Sequence, residues 1–152
     1  MLTVSYEYTD RLAWSVRYIL ASLILLLKMN EKPDKWRTTE VGETNFESEV
    51  VLPKGPVLVA FWAPWSRPCH TLGPVLDEVA TACAESLKLV AVNADENPHL
   101  SLRYAVQSIP TLLYFLNGTP SARLVGTATK AAILAQLHQV LRAGGPAAPS
   151  AS

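Results

Sequence analysis

The sequence predicts an α/β domain built in three layers around a mixed sheet, and two observations carry that prediction. Three predominantly apolar runs, at 56–62, 87–92 (interrupted by Lys88) and 111–116, read as strands buried on both faces, and segments with apolar residues at helical spacing alternate with them. An Asn117-Gly118 pair follows the last run and marks a hairpin, so the final pairing is antiparallel. Early alternation of strand and helix gives parallel neighbours; the terminal hairpin makes the sheet mixed.

Taken in order, residues 12–27 are mostly apolar, interrupted by Arg17, and predict an extra N-terminal helix with Trp14 and Tyr18 suited to a membrane interface. Sixteen helical residues reach about 24 Å, short of a hydrocarbon core of roughly 30 Å. As a secretory signal the segment is poor: Glu7 and Asp10 spoil a basic leader, and the residues from Lys28 to Glu31 offer no small-residue cleavage site. Three readings stay open: a short anchor, a helix docked on the domain, or upstream residues outside the working protein because translation begins at Met29. For an anchor, Lys28, Lys32, Lys35 and Arg37 outnumber Arg11 on the other flank and place the folded domain on the cytoplasmic side. With or without an anchor, the domain is expected to be cytoplasmic.

Residues 36–41 form a weak strand, and Thr44-Asn45-Phe46-Glu47 is expected to cap a short helix running to Leu52. After the 56–62 strand, Pro64 to Pro68 is a turn, and Leu72, Val75, Leu76, Val79 and Cys83 recur at helical spacing. Asn97-Pro98 opens a helix over 98–104. Beyond the hairpin come a strand over 122–125 and an amphipathic helix over 129–141. The organisation is a 1–35 extension, a 36–142 domain and a flexible, core-less 143–152 tail of Gly, Pro, Ala and Ser.

Composition excludes several function classes. With 13 basic and 13 acidic residues the formal charge is zero, which supplies no electrostatic case for nucleic-acid binding. Cys69 and Cys83 are too few for a disulfide framework. His70, His99 and His138 are scattered without a metal-ligand spacing, so no metal or cofactor is expected.

The segment Phe61-Trp62-Ala63-Pro64-Trp65-Ser66-Arg67-Pro68-Cys69 resembles the active-site segment of the thioredoxin family, which ordinarily ends in Trp-Cys-Gly-Pro-Cys. Pro74, the 93–98 loop, Ile109-Pro110-Thr111, Asn117-Gly118 and Val125-Gly126 resemble further family features in the same order. The resemblance covers about 36–141 and implies a thioredoxin fold, with Cys69 in the first turn of a helix whose exposed N–H groups favour a thiolate. It also implies a cis Ile109–Pro110 bond beside that turn, leaving neighbouring backbone to pair with an extended peptide. The substrate-contact residues it implies are Trp65, Arg67, Pro68, Ile109, Pro110, Thr111 and Gly126, with Trp65 partly exposed and Trp62 packed under the turn.

Three departures from the family pattern bear on function. Ser66 stands where the family has its exposed attacking cysteine; a hydroxyl forms no disulfide, and no His-Asp arrangement flanks it to make a serine nucleophile. Ala60 and Ala91 stand where the family usually carries a buried aspartate and a partnering lysine, as expected of a core released from proton-shuttling duty. Cys69 keeps a positive neighbour in Arg67, and a second in His70 when that ring is protonated, but the family's geometry places it largely under the turn, where a thiol is usually inert. Cys83 lies about 21 Å farther along the same helix and cannot pair with it.

The resemblance therefore implies a protein of the disulfide-oxidoreductase lineage with impaired dithiol reductase activity, acting on protein or peptide thiols and disulfides, with monothiol chemistry at Cys69 left open. The alternative is a non-catalytic module that holds extended polypeptide in the same groove.

Overall fold

The structure is a computed structural model and describes residues 15–26 and 38–144. The chain divides into two units, Met1–Asp34 and Lys35–Ser152. In the first, residues 15–26 form a helix (α1), so the predicted extra helix is present. Residues 12–14 and 27 of its expected span lie outside the described residues. No helix among the described residues is long and apolar enough to cross a membrane.

The second unit contains a five-stranded sheet in the order β1-β3-β2-β4-β5, from β1 (Thr39–Glu40), β2 (Pro56–Trp62), β3 (Lys88–Asn93), β4 (Thr111–Leu116) and β5 (Thr119–Val125). Strands β1 and β2 flank β3 in parallel, while β4 runs antiparallel to both β2 and β5. Helices α2 (Arg67–Ala82), α3 (Pro98–Arg103) and α4 (Lys130–Ala143) complete the unit.

The apolar runs have the cause inferred from them, because alternate residues of each central strand enter different cores. Leu58, Ala60, Leu112 and Tyr114 face α2 and α4, where they meet Leu72, Leu76, Ile133 and Leu137. Val57, Val59, Phe61, Val90 and Phe115 face the other way, against Phe46, Val50 and Leu100. The three layers follow from that parity. Tyr104, Phe46 and Phe115 stack mutually with centroids 5.2 to 5.8 Å apart and fasten the second core.

Several local expectations are corrected. The helix expected up to Leu52 is a π-helical segment at Glu47–Val51, and Thr44-Asn45-Phe46-Glu47 does not cap it through a side chain. Its N-cap is Phe46, whose ring is needed in the core, while Asn45 Oδ1 turns back to accept from the Gly42 N–H at 2.8 Å. Strand β5 begins at Thr119 rather than 122; it is an edge strand, where Pro120 is tolerated, and its ladder shifts register opposite Tyr114/Phe115. Helix α4 runs to Ala143 and Gly144 caps it, so the first two residues assigned to the tail belong to the fold. The remaining tail, 145–152, lies outside the described residues.

The Asn117-Gly118 turn is formed as expected. Asn117 and Gly118 have φ of +50° and +81°, the pair of left-handed conformations a two-residue hairpin requires. A Cβ on Gly118 would lie 2.2 Å from the Val51 carbonyl oxygen, so close backbone approach also demands glycine there.

Candidate functional site

The site lies where β2 ends and α2 begins. Trp62 closes the strand, the chain turns through Ala63 to Trp65, and Ser66 adopts extended backbone geometry before Arg67 opens the helix. Pro68 in the first turn sacrifices no hydrogen bond, since N–H groups there lack helical partners. Ser66 is the N-cap: its Oγ accepts from the Cys69 backbone N–H at 3.4 Å. The family's attacking position is exposed, yet here Ser66 is only 3% exposed.

Cys69 is 1% exposed and packs with Trp62, Ala91 and the half-buried Ile109. The sheet register sets Ala60 directly opposite Ala91, and both are buried, so the two positions of the family's aspartate and lysine are adjacent and filled by methyl groups. Trp62 is packed beneath the turn at 5% exposure. Cys83 caps the opposite end of α2 and packs half-buried against the larger core, remote in the fold from Cys69. Both thiols are free.

His70, which the sequence suggested as a group favouring the thiolate, turns back onto the chain before the helix. His70 is exposed, and its Nε2 lies 2.8 Å from the Pro64 carbonyl oxygen. A carbonyl only accepts, so Nε2 carries the hydrogen and the ring braces the turn from outside. Arg67 is exposed on the first turn of α2.

Beside the turn, the Ile109–Pro110 bond is cis. Pro110 is buried and its carbonyl accepts from the Gly126 N–H at 2.8 Å, which joins the cis-proline loop to the end of β5. Gly126 has φ of +88°, and a Cβ built on it meets nothing within 4 Å, so its face is open. Thr111 differs from the other expected contact residues. It is buried at 1%, its Oγ1 donates to the Ser108 carbonyl at 2.6 Å, and its backbone is paired with Phe61 and Val125. Its side chain is therefore turned inward, away from any ligand on this surface.

Sequence reasoning assigned no role to Asp95. In the structure Trp65, 70% exposed, donates its indole N–H to Asp95 Oδ2 at 2.9 Å, and the Asp95 N–H is itself held by Asn93 Oδ1 at 3.0 Å. The loop after β3 thus orients the largest exposed side chain of the site. An acid in a loop has many possible partners, so only the signal of its position after a strand end was available beforehand. Among the described residues no group of three His, Cys, Asp or Glu side chains could hold a metal ion.

Comparison with known proteins agrees with this geometry. The Thioredoxin family model matches residues 37–139. A thioredoxin of Griffithsia pacifica is 39% identical over 104 residues, covering 68% of this chain and 95% of that protein. A thioredoxin of Mycobacterium bovis is 41% identical over 108 residues, covering 71% and 93% respectively. Thioredoxin 1 of Synechococcus elongatus is 41% identical over 101 residues, covering 66% and 94%. With the mixed sheet, the turn at the head of α2 and the cis-proline loop beside it already in place, these matches decide the matter: the chain belongs to the thioredoxin family.

Proposed function

We propose that this chain is a member of the disulfide-oxidoreductase lineage in which dithiol turnover is lost while the partner-contact surface is kept, so that it binds extended polypeptide without reducing it. One observation carries the proposal: the hydroxyl in the attacking position is buried and accepts the Cys69 N–H. In dithiol exchange a first thiolate forms a mixed disulfide with the substrate, and a second thiolate then displaces the substrate's reduced thiol, leaving the protein oxidised. Ser66 can take neither part. The contact surface in this reading consists of Trp65, Arg67, Pro68, Ile109, Pro110 and the open face at Gly126, with Thr111 supporting it from below. A cytoplasmic location belongs to the same proposal and is supported by the cysteine usage, two residues at opposite ends of α2 in place of the disulfide framework common in small secreted domains.

A second reading keeps monothiol exchange at Cys69, favoured by its place in the first turn of α2, where helix N–H groups stabilise a thiolate. Burial at 1% weighs against it.

Insulin reduction by dithiothreitol tests the first reading, comparing the native chain with Ser66→Cys. The native chain is expected to match the reductant background and the variant to exceed it; native activity above background would overturn the proposal. Thiol labelling of Cys69 in a Cys83→Ala background separates the second reading. Labelling only after unfolding removes monothiol chemistry, and rapid labelling of the folded protein establishes an accessible thiol.

A further inference from the structure

Arg123 holds a place in the fold that the proposed function does not use. It stands on the edge strand β5, directly opposite Leu113 of β4, and Leu113 belongs to the core on the α3 side. Directly opposite residues share a face of the sheet, so the Arg123 side chain rises over the end of α3. There its Nη1 donates to the Ala105 carbonyl at 2.7 Å and its Nη2 donates to the Tyr104 carbonyl. Carbonyls at a helix C-terminus lack helical partners, and a planar guanidinium can hold two of them at once.

The clamped residues begin the segment that leads to the site. Tyr104 is the C-cap of α3, and Ala105 follows with φ of +51°, a left-handed conformation that a residue with a Cβ keeps only when its surroundings hold it. The Ala105 and Val106 N–H groups return to the Leu102 and Ser101 carbonyls at 3.1 and 2.8 Å. Val106 and Ile109 are half-buried against the same core, and Ile109 also packs with Trp62 and Cys69. Beyond them the chain is fixed by Thr111 Oγ1 on the Ser108 carbonyl and by the Gly126 N–H on the Pro110 carbonyl. Residues 105–110 thus form one wall of the contact surface and the end of β5 forms the other. Arg123 and Gly126 tie the two walls together at separate points.

We propose that Arg123 is a positioning residue for the polypeptide-contact surface, a role that rests on the reading of that surface as a groove for extended chain. Its fork on the Tyr104 and Ala105 carbonyls fixes the segment 105–109 and so sets Ile109 and Pro110 against the end of β5. Arg123 acts through the backbone of this segment and not by contact with the ligand. Holding one wall in place beforehand removes an ordering cost from binding. A lysine at this position presents a point charge instead of a planar fork and holds one carbonyl at a time.

Amide hydrogen exchange and binding, both measured on the full chain, test this. The binding probe is reduced, carboxymethylated α-lactalbumin, an unfolded polypeptide with no free thiol or disulfide. Arg123→Met, which keeps an apolar stem and removes the donors, should speed exchange of the Ala105 and Val106 amides about tenfold while the β2 and β4 amides stay unchanged. Its affinity for the probe should fall about three- to tenfold, and Arg123→Lys should recover only part of that loss. Unchanged exchange at Ala105 and Val106, or unchanged affinity, overturns the proposal. So does equal acceleration in β2 and β4, which would mean a general loss of stability. Full recovery of affinity by Arg123→Lys with exchange still fast also overturns it, because the charge and not the fork would then matter. A native chain that fails to bind the probe overturns the groove reading instead, and the exchange comparison still decides whether Arg123 fixes the segment.

Discussion

Ser66 Oγ accepts a hydrogen bond from the Cys69 backbone N–H at 3.4 Å, so the two positions that form a dithiol pair in the family are joined here by a helix cap. Serine is among the best N-cap residues and a poor nucleophile without a base, so serine in place of cysteine suits the helix terminus and, in the function proposed above, ends dithiol exchange. The neighbouring core is consistent with that change: Ala60 and Ala91 present two methyl groups and no proton carrier.

Replacing Ser66 by alanine leaves an unsatisfied N–H in a buried turn. The loss should be about 0.5–1 kcal/mol, toward the low end for a cap because the bond is long. Thermal denaturation should show a midpoint lowered by about 3–6 °C. An unchanged midpoint would mean that the cap contributes nothing.

Ala60→Asp places a carboxylate in the core opposite Ala91, at a cost of about 3–5 kcal/mol at neutral pH. Ala91→Lys should be comparably damaging. The double substitution should recover about 1–3 kcal/mol relative to the sum, since the strand register makes the two side chains neighbours. Urea denaturation of the four proteins gives this coupling directly, and strict additivity would contradict the register.

Asp95→Ala removes the acceptor that orients the Trp65 indole. Both groups are exposed, so the unfolding midpoint should barely move. If Trp65 is a docking side chain, its lost pre-organisation should weaken binding of an extended peptide by about two- to tenfold. Fluorescence anisotropy measures the affinity, and Trp65 emission reports the freed ring. Equal affinity in both proteins would remove Asp95 from the contact surface.

Tyr114 is buried, donates its hydroxyl to the Ile133 carbonyl at 3.0 Å, and has its pKa pushed well above the ordinary 10.0 by burial. Above pH 10 the unfolded chain therefore loses this proton while the folded chain keeps it, so stability falls as pH rises past 10. Below pH 10 Tyr114 gives no pH dependence. Tyr114→Phe should cost about 0.5–1.5 kcal/mol at neutral pH and flatten the alkaline slope, measured by denaturant unfolding at neutral and alkaline pH.

Much of this molecule is legible without coordinates because its signals are local. The apolar runs at 56–62 and 111–116 coincide with β2 and β4, and Asn117-Gly118 supplies the positive φ values its hairpin needs. Thr129 caps α4 by accepting from the Ala132 N–H at 3.1 Å, three residues away. Backbone sterics, side-chain parity and helical period act over a few residues, so a linear reading captures them.

Tertiary structure alone decided which groups serve the site. Trp65 meets Asp95, His70 turns back to the Pro64 carbonyl, and Thr111 faces inward to Ser108. Asn97, expected only to open α3, instead donates to the Asn93 carbonyl and accepts from the Glu43 N–H, tying the loop after β3 to the segment after β1. Sequence by itself determined the layers, the hairpin and the serine at the position of the family's first cysteine. The direction of each polar side chain waited on the assembled sheet, because a hydrogen bond needs its partner within about 3 Å and only the fold brings distant segments that close.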